Sequence, residues 1–344
     1  MDCRFFCAKK HVQNLHICFF LCTFVADLNK YSKRMKIAFT TQLPREGFHR
    51  LSAHTLYADP KEAEVLVCTF DYKVPGEMIA TMPHLRLIAN FGAGFNNIDI
   101  DTCRARGIRV TNTPLPVIEP TAELTFALMI DIARRVSEFD RLIRKGGAQF
   151  GVMNNLSHSL YGKTIGIIGM GRIGLSLARR AQASGMHVIY HNRKELSAIS
   201  LPPTDWQKSV IEQARYVDFQ TLLQDSDFVS LNLPYTPEVH HMIGKPELGM
   251  MKSTAYLINT ARGAHVCEEA LVEALKNGII AGAALDVYEF EPQISEELKT
   301  LNNVVLSPHT GTGTWEGRIA MCENVCDNIL AFANNETEKM NIVL

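Results

Sequence analysis

A glycine-rich turn between two strand-like runs restricts the possible fold more than any other part of the sequence. Thr164–Ile168 is short, β-branched and apolar, which is typical of a strand buried on both faces. A helix-period run, Leu175–Ser184, and a second strand-like run, His187–Tyr190, follow the turn. The turn itself is Gly169, Met170, Gly171, Arg172, Ile173 and Gly174. This order of strand, turn, helix and strand predicts a parallel α/β unit.

Each glycine of the turn has a mechanical reason to be there. Gly169 permits a tight turn, Gly171 lets a pyrophosphate approach the backbone, and Gly174 lets the helix pack on the strand. The amino end of the helix then offers N–H groups and a partial positive charge to the phosphates. The segment predicts a dinucleotide site, against the alternative of a purely structural glycine turn.

The residues after the second strand bear on the choice of nicotinamide cofactor. NAD sites usually carry an acid there to hold the ribose 2′-hydroxyl, whereas NADP sites supply an arginine for the 2′-phosphate. This chain has Asn192, Arg193 and Lys194, with no acid until Glu195. Asn192 can bond a ribose hydroxyl and Arg193 can pair with a phosphate. We therefore predict a preference for NADP(H), with NAD(H) possible; the alternative is that the two cations are solvated loop charges.

Composition excludes several classes of partner. The 344 residues suit two domains of ordinary size, and the formal net charge of −1 gives no case for nucleic acid or an acidic membrane surface. The nine cysteines show no disulfide framework, which favours a reduced, cytoplasmic protein. Four of them form two Cys-x-x-x-Cys pairs within the first 22 residues, without polar support for zinc, and we expect no metal site.

The pattern of runs predicts an α/β protein with two domains. Residues 1–34 differ from the rest and are expected to be a disordered extension or a non-native start. A smaller, flavodoxin-like substrate domain is predicted for residues 35–116 and 310–344, so that it is discontinuous. Residues 117–309 are predicted to form the dinucleotide domain, a Rossmann-type doubly wound parallel sheet of six strands. It includes a linking helix over 119–145, long enough to bury a face against a partner subunit.

Three reactive side chains follow strands whose carboxyl ends should share one edge. Arg262, Glu291 and His309 each come after a strand-like run, and ligands of open α/β sheets bind at that edge. Arg262 can hold a carboxylate bidentately and polarise a carbonyl. His309 can donate a proton to a developing alkoxide, and a carboxylate such as Glu291 favours the protonated form of a neighbouring imidazole. The three together predict hydride transfer to a small 2-oxo acid.

Motifs over residues 36 to about 335 resemble the D-isomer-specific 2-hydroxyacid dehydrogenases. They are Gly92-Ala93-Gly94, Thr121-Ala122-Glu123-Leu124, the Gly169–Gly174 turn, Asn259-Thr260-Ala261-Arg262-Gly263, Leu285-Asp286-Val287 with Glu291-Pro292, and Pro308-His309-Thr310-Gly311. The resemblance implies Arg262, Glu291 and His309 as catalytic residues and Asp286 near the nicotinamide. It also implies substrate carboxylate binding by the N–H groups of Ala93 and Gly94, and homodimers built around the 119–145 helix. Further expected cofactor contacts are Pro234, Thr260, Ala261, His309 and Gly311.

Within this family, the missing acid beside Arg193 looks most like the NADP-using glyoxylate and hydroxypyruvate reductases. Reduction of glyoxylate or hydroxypyruvate to a D-2-hydroxy acid is therefore the predicted activity. A phosphoglycerate or D-lactate dehydrogenase remains an alternative, as does a non-catalytic, NAD(H)-gated binding module similar to the family's corepressors. Formate dehydrogenases of the family carry Gln where this chain has Glu291, which argues against formate oxidation. The sequence departs from the family pattern at Thr310–Gly313 and around 196–215.

Overall fold

A computed structural model describes residues 34–147, 149–196 and 204–344. They form two compact units, one made of the described residues through Thr113 with Ile319–Leu344, the other of Pro114–Arg318. The expectation for residues 1–34 lies outside the described residues, except at Arg34. Within the described ranges, no helix has both the length and the apolar character needed to cross a membrane.

The first unit contains a five-stranded sheet in which all neighbours are parallel. Its strands are β1 (Lys36–Phe39), β2 (Thr55–Leu56), β3 (Val65–Thr69), β4 (Leu87–Phe91) and β5 (Arg109–Thr111). This unit also contains helices α1 (Gly76–Ala80) and α2 (Ile100–Ala105) and the 3₁₀ turns Arg45–Leu51, Pro60–Glu62 and Thr337–Lys339. The strand order β2-β1-β3-β4-β5 is that of flavodoxin-like folds, as predicted.

The second unit contains a seven-stranded parallel sheet. Its strands are β6 (Thr164–Ile168), β7 (His187–His191), β8 (Ala214–Tyr216), β9 (Phe228–Leu231), β10 (Tyr256–Asn259), β11 (Gly282–Leu285) and β12 (Val304–Leu306). Its helices are α3 (Ile118–Arg134), α4 (Val136–Arg144), α5 (Arg172–Ala183), α6 (Asp205–Glu212), α7 (Phe219–Asp225), α8 (Lys245–Met250), α9 (Glu268–Lys276) and α10 (Glu296–Thr300). Two 3₁₀ turns are Pro237–Val239 and Gly263–His265, and α11 (Trp315–Ala333) begins here and continues into the first unit.

The order β12-β11-β10-β9-β6-β7-β8 is the doubly wound order with one strand added at an edge. Both faces of the sheet are covered, because successive side chains enter different hydrophobic clusters. Ile165 and Ile167 of β6 belong to one cluster, and Ile168 belongs to the other. The strand order reverses between β6 and β9, so the carboxyl ends of these two strands border the crevice where ligands of such sheets bind. The glycine turn follows β6 directly.

The predicted single helix over 119–145 is wrong. The structure has two helices, because Arg135 adopts a left-handed conformation with φ of 57° between α3 and α4. The side chain of Asp131 accepts a hydrogen bond from the N–H of Ser137 at 2.7 Å, so it satisfies a donor at the start of α4. Both helices lie in the second unit, and neither joins the two units.

Some strands and unit boundaries differ from those expected from the sequence. Two edge strands, β2 and β8, were not expected, because both are very short and neither is fully buried. The strand-like run Ile280–Val287 predicts a strand over its whole length, but the strand is limited to Gly282–Leu285, and Asp286 already lies in a bend. The unit boundaries fall at 113/114 and 318/319 instead of 116/117 and 309/310. Residues after His309 remain with the second unit because the N–H groups of Thr310 and Gly311 bond to Asp286.

Candidate active site

The glycines of the turn after β6 differ in what requires them. Gly169 has a φ of +94°, and a Cβ there would lie 2.7 Å from the carbonyl oxygen of Asn232. A Cβ on Gly174 would lie 2.4 Å from the carbonyl oxygen of Gly169. At Gly171, by contrast, a Cβ would meet no described atom within 4 Å. Packing therefore explains the first and third glycines, and close approach of a ligand is the remaining reason for the second.

The amino end of α5 suits the phosphates of a dinucleotide. Gly171 is its N-cap, no described side chain caps it, and its first turn contains no acid. Its N–H groups and the helix dipole therefore stay available to an anion. Asn192, at the end of β7, accepts a hydrogen bond from the N–H of Met170 at 2.7 Å. This bond holds the glycine turn against Asn192, the residue expected to contact the adenosine ribose.

The charged residues after Asn192 are exposed. The side chains of Arg193 and Lys194 are both exposed to solvent. The positive charge of Arg193 acts on the carboxylate of Glu238. The pKa of Glu238 lies below its usual value because its carboxylate is hydrogen-bonded to Thr236 and to its own backbone, with a smaller contribution from the Arg193 charge. The guanidinium of Arg193 is thus on the ligand side of the sheet and can turn toward a phosphate.

His309 and Glu291 form the reactive pair. The Nδ1 atom of His309 lies 2.8 Å from Oε2 of Glu291, and the other carboxylate oxygen accepts the N–H of Tyr288 at 2.9 Å. Burial raises the pKa of Glu291, but the hydrogen bond and charge of His309, the Tyr288 N–H and the charge of Arg262 together bring it below its usual value. Glu291 is therefore ionised at neutral pH. A proton that passes to a ligand leaves from Nε2 of His309, because Nδ1 is bonded to Glu291.

A buried carboxylate holds the turn that carries His309. Asp286 is 1% exposed, and its oxygens accept hydrogen bonds from the hydroxyl of Ser307 at 2.5 Å and the N–H groups of Thr310 and Gly311 at 2.8 Å each. Its carbonyl oxygen accepts the N–H of His309, whose φ is +53°. Asp286 therefore holds the chain both before and after His309, and so supports the uncommon left-handed backbone conformation of this histidine.

Arg262 follows β10 at the same edge of the sheet. Asn259, at the end of that strand, donates to the carbonyl oxygen of Arg262 at 2.9 Å and accepts the N–H of Ala261 at 3.1 Å. Burial lowers the pKa of Arg262, and the Glu291 carboxylate opposes that effect. An arginine stays charged in proteins, so this site holds a desolvated cation within electrostatic range of the reactive pair. Such a cation can bind a carboxylate strongly.

A second histidine near Arg262 cannot replace His309 as the proton donor. His265 is fully buried, and burial together with the Arg262 charge lowers its pKa to about 4 against a weaker hydrogen-bond contribution from Pro234. It is therefore neutral at neutral pH. His309 therefore remains the candidate proton donor, because its imidazole contacts the carboxylate of Glu291.

The remaining predicted cofactor contacts lie at the same edge of the second unit. Pro234 follows β9 and is exposed, whereas Thr260, Ala261 and Gly311 are buried. The hydroxyl of Thr260 is 2.7 Å from that of Thr125 on α3, so this side chain is occupied within the unit. Arg172 and Ile173 lie in the first turn of α5, directly after the glycine turn.

The two predicted substrate-binding residues of the first unit, Ala93 and Gly94, lie in the loop after β4. Asn90, fully buried at the end of β4, donates to the carbonyl oxygen of Gly94 at 2.6 Å. Asn112 donates to the carbonyl oxygen of Ala93 at 2.7 Å. These bonds fix the carbonyl groups of Ala93 and Gly94, and anion binding by their N–H groups stays a prediction.

The supporting residues Asn90, Asn112, Asn259 and Ser307 were not singled out from the sequence. All four are polar and follow a strand or end one. That position was a usable signal, since buried polar groups at strand ends need partners and commonly hold the next loop. Which loop each one bonds could not be read from the residues.

The chain is similar to known proteins in sequence and in fold. Residues 126–311 match the model of the D-isomer-specific 2-hydroxyacid dehydrogenase NAD-binding domain. A glyoxylate reductase from Thermococcus litoralis is 43% identical over 324 residues, which cover 88% of this chain and 94% of that protein.

Solved structures with the same fold hold different nicotinamide cofactors. An NADPH-dependent glyoxylate/hydroxypyruvate reductase from Sinorhizobium meliloti, in complex with NADP and malonate, has a TM-score of 0.76 at 30% identity and covers 87% of this chain and 94% of its own. A D-lactate dehydrogenase from Aquifex aeolicus, complexed with NAD and lactic acid, has a TM-score of 0.77 at 29% identity, with 90% and 99% covered.

Proposed function

Since this chain belongs to the D-isomer-specific 2-hydroxyacid dehydrogenases, an oxidoreductase family with a NAD-binding domain, we propose that it reduces glyoxylate or hydroxypyruvate to the D-2-hydroxy acid. The observation that carries the proposal is the His309–Glu291 pair at 2.8 Å, with Arg262 within its electrostatic range at the same sheet edge. The similarity to a glyoxylate reductase supports the choice of substrate.

The side chains of the second unit have separate tasks in this reaction. Bound NAD(P)H supplies the hydride that reduces the carbonyl carbon. Arg262 binds the carboxylate of the 2-oxo acid and, as a desolvated cation, draws electron density toward the carbonyl oxygen. His309 gives its Nε2 proton to that oxygen as negative charge develops there. Glu291 stabilises the imidazolium through Nδ1, and Asp286 keeps the imidazole in position.

Replacing Glu291 with glutamine should slow reduction. The carboxylate holds Nδ1 of His309 at 2.8 Å and compensates the positive charge of an imidazole that acts as proton donor, so its loss should weaken proton transfer. We expect kcat and kcat/KM for glyoxylate to fall by about 10²-fold in Glu291→Gln. Steady-state kinetics measure the decrease. Wild-type kinetics in this variant would remove Glu291 from the role.

We propose that NADP(H) is the preferred cofactor. The exposed guanidinium of Arg193 and the absence of an acid directly after β7 support this preference. Arg193→Ala should raise the KM for NADPH by about tenfold, the effect of losing one charge-assisted contact of roughly 1.5 kcal/mol, and leave the KM for NADH unchanged. Lys194→Ala, next to it and equally exposed, is the control. Equal or better efficiency of the wild type with NADH would contradict the preference.

A substrate panel tests the activity itself. Glyoxylate and hydroxypyruvate should be reduced with higher kcat/KM than pyruvate or phosphohydroxypyruvate, with either cofactor. A higher rate with pyruvate would favour a D-lactate dehydrogenase, and with phosphohydroxypyruvate a phosphoglycerate dehydrogenase. Nucleotide binding without any turnover would favour the corepressor-like module.

We further propose that the chain forms homodimers. Supporting this, apolar side chains are exposed on and after α4: Val136, Ile143, Phe150, Val152, Met153, Leu156 and Tyr161. All seven are more than half accessible, and soluble proteins seldom expose such a group of apolar residues without a partner. The molar mass in solution tests the proposal. Cytoplasmic location stays a prediction.

A further inference from the structure

Two consecutive histidines and a glutamate meet at a place that the proposed reaction does not use. The Nε2 atom of His241 lies 2.5 Å from Oε1 of Glu289. The rings of His240 and His241 are stacked, with centroids 3.9 Å apart and an angle of 21° between their planes. One ligand atom from each of the three residues lies within 4.8 Å of the others. Two imidazoles and a carboxylate are a ligand set typical of Zn²⁺ and other divalent transition metals.

The backbone explains how two neighbouring side chains share one side. His240 is extended, with φ of −62° and ψ of 128°, whereas His241 has a φ of 51°. Side chains of consecutive extended residues would point in opposite directions. The left-handed conformation of His241 turns its ring back beside that of His240. The N–H of His241 is held by the carbonyl oxygen of Ala264 at 2.9 Å, so the conformation is fixed by the fold.

The charges around Glu289 also point to a cation. Its side chain is 10% exposed, and its Oε2 atom accepts the N–H of Glu268, a residue that is itself 7% exposed. Glu268 accepts the N–H of Glu289 in return, at 3.2 Å. Among the described residues no lysine or arginine is at ion-pair distance from either carboxylate. The amino end of α9 offsets part of both charges, since Glu289 accepts the N–H of its first residue, and His241 is the partner of the other Glu289 oxygen.

Buried carboxylates in proteins are paired with cations or bind metal ions. We propose that His240, His241 and Glu289 bind a divalent transition-metal ion, for which Zn²⁺ is the suitable probe. The bound ion ties the loop after β9 to the segment after β11, two residues before Glu291. Its place is structural: it clamps the segment that leads to the reactive pair, and it takes no part in the hydride transfer. No sequence motif indicates this site, since His241 and Glu289 are 48 positions apart.

Zn²⁺ titration of the full, tag-free chain tests the proposal. Protein freed of metal by a chelator should bind one Zn²⁺ per chain in isothermal titration calorimetry near neutral pH. His240→Ala, at an exposed position, and Glu289→Gln, which keeps the shape, should each weaken binding by at least about tenfold. His84→Ala, which removes an exposed imidazole from the first unit, should bind as the wild type does. Zn²⁺ should also raise the melting temperature of the wild type, because it binds the folded state.

The proposal is overturned if the wild type binds no stoichiometric Zn²⁺. It is equally overturned if His240→Ala and Glu289→Gln bind as tightly as the wild type, which would mean an adventitious surface ion only. Neither variant alters Arg262, Glu291 or His309. Glyoxylate turnover therefore tests the proposed activity separately from the metal.

Discussion

His309→Asn should reduce glyoxylate with a kcat about 10²–10⁴-fold below that of the wild type, the usual effect of losing a general acid. Asparagine is the suitable replacement because His309 has a φ of +53°, and asparagine tolerates that conformation better than alanine. The amide cannot supply a proton to the alkoxide. The decrease should appear in kcat and in kcat/KM, since the lost interaction is made in the transition state.

Nucleotide affinity separates the proton-donor role of His309 from its predicted cofactor contact. If His309 acts as proton donor, the dissociation constant for NADPH, measured by fluorescence titration, should be unchanged in His309→Asn. His187→Ala, which removes an exposed imidazole at the start of β7, controls for general effects. Turnover of His309→Asn close to that of the wild type would refute the assignment.

Arg262→Lys should lower kcat/KM for glyoxylate by roughly 10²–10³-fold, comparable to removal of one transition-state hydrogen-bond donor. Lysine keeps the positive charge but loses the planar fork that binds a carboxylate bidentately. A lysine at this partly buried position is also more easily deprotonated than arginine, because desolvation already lowers the pKa of Arg262. Steady-state kinetics with glyoxylate and saturating NADPH measure the effect.

The control for this variant is Arg215→Lys, at an exposed arginine of β8 whose carboxylate partner, Asp225, lies 3.4 Å away. It should retain wild-type kinetics, since an exposed ion pair contributes little. A variant Arg262→Lys with unchanged kcat/KM would show that Arg262 is not the substrate's carboxylate partner.

The fold class and the position of the site were predictable because they follow from local patterns. Thr164–Ile168 is a strand with the predicted bounds. Parallel strands end at one edge of a sheet, so the residues after β10, β11 and β12 had to lie at the same edge as the glycine turn. The shared edge follows without any side-chain geometry, and the His309–Glu291 contact agrees with it.

The interruption of the long helix was not predictable from composition. Between Pro120 and Gly146 the chain has neither proline nor glycine, so helix periodicity continues through Arg135. At the break, the N–H of Ser137 donates a hydrogen bond to the side chain of Asp131, which competes with continuation of the helix. A hydrogen bond of this kind leaves no trace in the hydrophobic periodicity.

The contacts of Asp286 show a second limit. The family resemblance implies that Asp286 lies near the nicotinamide. In the structure its carboxylate accepts bonds from the turn over Ser307–Gly311, which returns to it after more than 20 residues of intervening chain. Such a pairing depends on tertiary structure, and spacing alone could not distinguish it from a ligand contact. The nicotinamide contact stays a prediction.

A crystal structure with NADPH and oxamate, an unreactive 2-oxo acid analogue, would show where the substrate binds. We expect Nε2 of His309 within hydrogen-bond distance of the carbonyl oxygen of oxamate, Arg262 bonded to its carboxylate, and Glu291 still in contact with Nδ1. Oxamate bound away from Arg262, or an imidazole turned from its carbonyl oxygen, would contradict the roles assigned to these side chains.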